Sequence, residues 1–290
     1  RLVGSEMCIR DSRFGYGYYS GISPREMSQV DRKSWKNVTG TGPFQLERYV
    51  QANAHIYRKN EQYWDRISLG QESYQLPFVE RVIYRIIKDE ATYLTALRTG
   101  QLDILEAIRW IAVDHLKETT PELQWNRYLA TGGQFISLRV DQKPFDDIRV
   151  RRAMNLAVNQ QEIVDHFYGG HAELMAYPQH PEFGEYFEPL EAMPDAVQEL
   201  FTHDPEEARR LLDEAGVPEG FSFDLQVCSC SPSHMDLVPL LESYFAQVGL
   251  KTNIQTMEYA SFLSTMTTKT HGPAYLPVSY THLRAHETLL

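Results

Sequence analysis

Several features that mark common protein classes are missing from this sequence of 290 residues. It contains no apolar run close to the roughly eighteen residues of a membrane-spanning helix. It also contains no run of basic residues, and its net charge is -11 at pH 7. An acidic chain of this kind is poorly suited to bind nucleic acid or an anionic membrane surface. We therefore expect a globular protein without a nucleic-acid partner.

Catalytic signatures are also missing. The sequence has no G-x-S-x-G elbow, no H-E-x-x-H helix and no G-x-x-x-x-G-K-S/T phosphate loop. Two His/Glu pairs, His171 with Glu173 and His180 with Glu182, lie in a proline-rich stretch without the rigid scaffold that zinc requires. The sequence therefore predicts a protein that is not an enzyme, with no catalytic residues, no cofactor and no metal.

Cysteine is scarce, with Cys8, Cys228 and Cys230 as the whole complement. Cys228 and Cys230 are one residue apart in a segment predicted to be extended, which places them badly for a mutual disulfide. Their spacing matches no zinc motif. We expect them to be small buried residues at the end of a strand.

The two ends of the chain are related at the codon level. Codons can be chosen for Val3–Asp11 whose reverse complement encodes Val278–His286. This relation is typical of the two strands of a sequencing adapter translated as protein. We therefore predict that residues 1–12 and 278–290 are not native and exclude them from fold reasoning.

The part that remains predicts two α/β regions. In the first, Phe44–Val50 and His55–Arg58 have the pattern of a hairpin, and Val79–Ile87 is typical of a buried strand. Asp89 is the predicted cap of a helix that ends at Gly100. The glycines at 132 and 133 are the predicted boundary, which divides the chain into residues 13–130 and 131–277.

The second region begins with a helix inside Pro144–Asn159 that has one apolar face. Arg149, Arg151 and Arg152 fall on the opposite face, and we favour a solvated face or pairing with nearby aspartates over an anion site. Asp204 is the predicted cap of a further helix that ends at Gly216.

A βαβ unit follows, and it locates a candidate site. Phe221–Val227 and Leu250–Thr256 are predicted parallel strands, joined by a helix capped at Asp236. Ligands of open α/β sheets bind outside the carboxyl ends of the strands. The loop Cys228–His234 is therefore the predicted ligand-facing segment, although it could equally be an ordinary solvated loop. Its hydrogen-bonding side chains are Ser229, Ser231, Ser233 and His234.

Several segments in one order resemble a known family, the peptide-type (family 5) solute-binding proteins of bacterial ABC importers. The resemblance is carried by PREM, WKNVTGTGPFQLERYV, NEQYW, LPFVERVIYRIIKDEATYLTALRTGQLDI, PFDDIRVRRAMNLAVNQQEIVDHFYGG, HDPEEARRLLDEAGVPEGF and VGLKTNIQTMEYASF. These stretches cover Pro24–Met27, Trp35–Val50, Asn60–Trp64, Leu76–Ile104, Pro144–Gly170, His203–Phe221 and Val248–Phe262.

The resemblance implies an α/β, two-lobed fold like that of periplasmic binding proteins (type II, with mixed sheets), here incomplete. Residues 13–130 would form part of the first lobe and residues 131–277 most of the second. It also implies a monomer outside the cytoplasm that captures a peptide or similar small solute between the lobes and delivers it to a membrane ABC permease. Two alternatives stay open: the ligand-sensing domain of a regulator with the same fold, and, more remotely, a peptide or metal-assisted hydrolase.

The resemblance also bears on the ligand. Dipeptide binders of the family tend to carry an arginine in the loop that matches Cys228–His234, where it grips a terminal carboxylate. This loop has no arginine. We therefore expect longer peptides or uncharged ligands rather than dipeptides.

Overall fold

The computed structural model describes residues 25–31, 34–106, 108–128, 134–174, 184 and 187–277. The chain divides into two compact units between Leu105 and Glu106. The terminal segments 1–12 and 278–290 lie outside the described residues, and so does the predicted boundary at Gly132 and Gly133. Those three assignments therefore stay predictions.

The first unit contains an antiparallel sheet, a two-stranded ribbon and one α-helix. Sheet order is β1-β2-β5, and the ribbon pairs β3 with β4. The elements are β1 (Phe44–Val50), β2 (Ala54–Lys59), β3 (Arg66–Leu69), β4 (Glu72–Gln75), β5 (Arg81–Arg85) and α1 (Glu90–Arg98), with short 3-10 helices at Arg25–Ser28 and Trp35–Asn37. The predicted hairpin is confirmed, because β1 and β2 are antiparallel neighbours.

One prediction for this unit is wrong. The apolar run around β5 was expected to be a buried strand, but Ile83 and Tyr84 expose 48% and 63% of their surface. The strand is at the edge of its sheet, and the described residues of the unit leave these side chains uncovered. The sequence pattern predicted the strand correctly, but it did not predict how far its side chains are buried.

The helix α1 begins as predicted. The Asp89 carboxylate accepts a hydrogen bond from the Thr92 backbone N–H at 2.8 Å, which satisfies one of the free donors of the first turn. The helix is followed by Gly100 at a φ of 67°, a conformation that glycine adopts readily. Local residues alone therefore determine both ends of this helix.

The second unit contains a four-stranded mixed sheet in the order β6-β9-β7-β8. Strand β7 is parallel to both β8 and β9, whereas β6 is antiparallel to β9. The strands are β6 (Ser137–Leu138), β7 (Ser222–Cys228), β8 (Lys251–Met257) and β9 (Ala274–Tyr275). The predicted parallel pairing of the two βαβ strands is confirmed.

Helices and short turns surround this sheet. They are α2 (Trp110–Thr119), α3 (Ile148–Ala157), α4 (Gln160–Glu162) with the π-helix Ile163–Phe167 that continues it, 3-10 turns at Leu190–Ala192 and Glu199–Phe201, α5 (Asp195–Gln198), α6 (Pro205–Glu214), α7 (Pro232–Gln247) and α8 (Tyr259–Thr267). One apolar cluster, which includes Val150, Leu212, Leu225 and Phe245, joins α3, α6, β7 and α7. This cluster is the core of the second unit.

The cap of α6 is the predicted one, and α3 and α4 begin with side-chain caps of the same kind. Asp147, Asn159 and Asp204 each accept a backbone N–H from the following turn. The arginines of α3 also behave as expected of a structural face: Arg149 pairs with Asp147 and Arg152 with Glu199, while Arg151 donates to backbone carbonyls. The described contacts of all three arginines are thus with the protein itself.

The start of α7 differs from the prediction. The helix begins at Pro232, with Ser231 as its cap, rather than at Asp236. Ser231 and Pro232 together supply a side-chain acceptor and a first-turn proline, which is a favourable start for a helix. Pro239 therefore lies inside the helix, where its missing N–H removes one backbone hydrogen bond.

Candidate functional site

The candidate site lies at the carboxyl edge of the parallel strands in the second unit. Strands β7 and β8 end side by side, with Cys228 opposite Met257. Beyond them the Ser229 N–H donates to the Met257 carbonyl at 2.9 Å. The predicted position of this segment at the carboxyl edge is confirmed. The loop is shorter than predicted, however, because α7 already begins at Pro232.

The two cysteines next to this edge correct another expectation. Cys228 and Cys230 form a disulfide, with their Cα atoms 5.1 Å apart. The strand ends at Cys228 and the chain turns there, so the two residues approach more closely than in an extended segment. Cys228 is fully buried, as expected, but Cys230 is exposed.

The structure places the predicted site residues in different roles. Ser229 is exposed, and its hydroxyl donates to the Met257 carbonyl at 3.2 Å. The Ser231 hydroxyl accepts the His234 N–H at 3.4 Å and so caps α7. Ser233 and His234 belong to the first turn of that helix rather than to a loop. The four residues thus share one location, the N-terminal end of α7.

His234 is buried, with 5% of its surface exposed. Among the described residues its Nδ1 atom has no hydrogen-bond partner. Burial lowers the pKa of His234, because a charged ring is poorly solvated there. Burial therefore favours the neutral form of the His234 ring over the charged form.

One residue near α7 gave no signal in the sequence. Arg109, the residue before α2, forms an ion pair with Asp236 on α7 across 127 positions of the chain. The side chain of Arg109 is 20% exposed and that of Asp236 57%. A guanidinium therefore lies one helical turn from the candidate edge, although the loop itself contains no arginine. No local pattern could have linked two residues so far apart in sequence.

Contacts remote from the edge hold α7 and α2 in place. The Tyr244 hydroxyl of α7 donates to the Glu162 carboxylate at 2.8 Å. Burial is the larger cause, and this hydrogen bond a smaller one, of the raised pKa of Tyr244. Trp110 of α2 packs on Phe167 and Tyr168, with ring centroids 5.2 and 4.5 Å away. These contacts fix the two helices whose residues meet in the Arg109–Asp236 pair.

Two further features are absent from the described residues, a metal site and a membrane-spanning helix. No group of three or more His, Cys, Asp or Glu side chains in that part of the chain could hold a metal ion. His180 and Glu182, considered from the sequence, lie outside it. No helix in the same part of the chain has the length and apolar character needed to span a membrane.

Curated proteins with related sequences include several binding proteins. The chain is 28% identical to "Heme-binding protein A" of Haemophilus influenzae over 77% of this chain and 38% of that protein. It is 30% identical to "Di/tripeptide-binding protein 1" of Pseudomonas aeruginosa over 77% of this chain and 39% of that protein. The chain therefore spans well under half the length of these relatives.

Solved structures share the fold. The periplasmic binding protein DppA from Helicobacter pylori, in complex with the peptide STSA, superimposes with a TM-score of 0.67 at 24% identity, over 82% of this chain and 42% of that chain. The oligopeptide-binding protein AppA from Bacillus subtilis, in complex with a nonapeptide, gives 0.69 at 18% identity, over 92% and 51%. The mixed α/β fold is thus that of the periplasmic binding proteins.

The match to a family model covers most of the chain. Residues 14–281 match the model of bacterial extracellular solute-binding proteins, family 5 (Middle). The segments on which the resemblance depends all lie within this range. The chain therefore belongs to the bacterial extracellular solute-binding proteins of family 5.

Proposed function

We propose that this protein is the solute-binding component of an ABC importer. It captures a peptide or a similar small solute outside the cytoplasm and passes it to a membrane permease, without chemical change. The names of the relatives, which include heme-, glutathione- and dipeptide-binding proteins, support capture rather than catalysis. We also propose that it acts as a monomer, which sedimentation velocity would test.

The observation that carries this proposal is the carboxyl edge of β7 and β8 in a chain of this family. The exposed hydroxyl of Ser229 lies there, beside the N-terminal end of a helix of 16 residues. Backbone N–H groups at a helix N-terminus are free to bind acceptors such as peptide carbonyl oxygens. Hydroxyl groups add both donors and acceptors. This set suits the polar, uncharged groups of a peptide main chain.

The charges around α7 support a ligand without a free carboxylate at this position. The residues from Ser229 to His234 carry no charge at pH 7 when His234 is neutral. Arg109 already pairs with the Asp236 carboxylate. A terminal carboxylate placed here would compete with Asp236 for that guanidinium. We therefore propose longer peptides or uncharged solutes, rather than dipeptides, as ligands.

A pair of tryptophan substitutions on the same strand tests the site. Ser229→Trp places a bulky side chain at the carboxyl end of β7, and we expect it to weaken binding of a peptide mixture by at least about tenfold. Ser222→Trp is the control, because Ser222 is exposed at the opposite end of that strand. Calorimetric titration with tri- to pentapeptides, and with dipeptides, measures both variants.

Two results would contradict the proposal. Equal affinities of the two tryptophan variants would remove the carboxyl edge from the site. Dipeptides that bind as well as longer peptides would exclude the proposed preference.

His234 supplies a second test of the same site. If the ligand pairs with its buried Nδ1 atom, His234→Ala weakens binding by about 1–3 kcal/mol because a buried group of the ligand loses its partner. His234→Gln keeps a hydrogen-bonding side chain at this position and is the matched variant. Thermal melts without ligand identify any loss of stability. Unchanged affinity in His234→Ala would remove His234 from the site.

A further inference from the structure

We propose that Cys230 is a thiol–disulfide exchange site, at which small thiols modify the protein. The sulfur of Cys230 is the one that an external thiol can reach, since Cys230 is exposed and its partner Cys228 is fully buried. Exchange rates depend on which sulfur is accessible to the attacking thiolate. The pair therefore combines one reactive and one protected sulfur.

The surroundings of the pair favour this division of roles. Cys230 directly precedes Ser231, the cap of the 16-residue helix α7, and the N-terminal end of a helix favours negative charge. The Cys230 N–H also donates to the Cys228 sulfur at 3.2 Å. Cys228 is at the end of β7 and fully buried, which protects its sulfur from a thiol in solution. Cys228 stays close to Cys230, with 5.1 Å between their Cα atoms, so its thiolate can re-form the disulfide.

The exchange is balanced in atoms and electrons. A thiolate RS⁻ attacks the Cys230 sulfur, so that an RS–S bond to Cys230 forms and the Cys228–Cys230 bond breaks. The electron pair leaves on the Cys228 sulfur, which takes a proton from water. A second thiol then displaces Cys230 from the mixed disulfide and gives RS–SR and the reduced pair. In sum, one protein disulfide and two RSH give two protein thiols and RS–SR.

A thiol attached to Cys230 would affect ligand binding because of where it lies. Cys230 lies between Ser229 and Ser231, so a group attached to its sulfur stands at the carboxyl edge of the sheet. There it would compete with a ligand for the same space. This consequence rests on the proposed function, whereas the exchange itself does not.

Mapping of the adduct tests the exchange without any ligand. The protein carries Cys8→Ser, so that Cys228 and Cys230 are its only cysteines. It is treated with limiting glutathione, alkylated and digested for mass spectrometry. We expect the oxidised protein to resist alkylation before treatment, and afterwards glutathione on Cys230 at least about tenfold more often than on Cys228.

Single-cysteine variants supply the controls. In the Cys8→Ser background, the Cys230 thiol of the Cys228→Ala variant should react with glutathione disulfide at least about tenfold faster than the Cys228 thiol of the Cys230→Ser variant. In urea the two rates should converge, which shows that folding causes the difference. Two free thiols in the untreated protein, or equal rates in the folded variants, would overturn the proposal. Neither result depends on whether the protein binds a peptide.

Discussion

The two units place their apolar side chains differently. In the first unit, Ala54 and Leu97 are the buried hydrophobic residues among those described. In the second, a continuous cluster joins β7, α3, α6 and α7, and Leu225 at its centre has no exposed surface. Among the described residues, each unit has at least one capped helix and one regular strand ladder. Helices and paired strands are therefore present in both units, whereas the packed core belongs to the second.

The large apolar side chains of the first unit show the other half of this contrast. Many of them expose more than a third of their surface: Val30, Val38, Tyr49, Trp64, Ile67, Leu69, Tyr74, Phe78, Val79, Ile83, Tyr84, Ile86 and Ile104. Apolar burial is the main favourable contribution to folding. The described part of the first unit therefore depends more on its backbone hydrogen bonds and less on a core than the second unit does.

The largest expected effect comes from a core substitution in the second unit. Leu225→Ala should lower the free energy of unfolding of that unit by about 2–5 kcal/mol, because it leaves a cavity between β7 and the helices. Ile83→Ala in β5 is the matched control, and we expect a loss below about 1 kcal/mol since that side chain is 48% exposed. Urea unfolding followed by circular dichroism measures both. Equal losses would show that the contrast between the units is wrong.

Hydrogen exchange should show the same contrast in the unaltered protein. Amides of the β7–β8 pair, such as that of Leu225, should exchange at least about tenfold more slowly than amides of the β2–β5 pair, such as that of Ile56. Both pairs have regular ladders, so the difference measures the packing around each ladder. Peptide-resolved mass spectrometry, corrected for intrinsic rates, makes the comparison. Equal protection in the two sheets would remove the distinction.

Features determined by neighbouring residues could be predicted from the sequence. The caps at Asp89 and Asp204, the β1–β2 hairpin and the parallel βαβ strands all depend on turn chemistry or periodicity within a short segment. The choice of cap for α7 was wrong because Ser231 and Asp236 both fit a helix start. Only the fold around them decides between such candidates.

Features determined by distant residues could not be predicted. The exposure of Ile83 depends on what packs against β5, and the Arg109–Asp236 pair joins positions 127 residues apart. At the candidate site, the location of the loop followed from strand order, but the roles of its side chains did not. Whether Ser231 binds a ligand or caps a helix depends on where the helix begins, and the approach of Cys228 to Cys230 depends on the turn after β7.

The smallest expected effect is the loss of stability at low pH of one capped helix in each unit. The hydrogen bonds from Arg149, first its side chain and then its backbone N–H, lower the pKa of Asp147 to about 2 from 3.8. Hydrogen bonds from the Thr92 side chain and backbone N–H lower the pKa of Asp89. A carboxylate whose pKa is lowered by folding stabilises the folded state above its unfolded pKa, and this stabilisation is lost as pH falls through the folded pKa. Each cap should therefore weaken as the pH falls below about 4.

Substitution by asparagine distinguishes the contribution of the carboxylate charge from that of the capping hydrogen bond. The asparagine side chain also caps helices, but it does not titrate. Between about pH 4 and pH 2 the unaltered protein loses the stabilisation that the Asp147 carboxylate gives to α3, whereas Asp147→Asn lacks this stabilisation at both pH values. The protection of α3 amides against exchange should therefore fall less in Asp147→Asn than in the unaltered protein. In Asp89→Asn the same reduction should be confined to α1. Peptide-resolved exchange, corrected for the pH dependence of intrinsic rates, measures both helices in each variant. A change in the acid response of α3 in Asp89→Asn, or of α1 in Asp147→Asn, would show that the two units unfold together. The units would then differ in how their side chains pack, but neither would have a stability of its own.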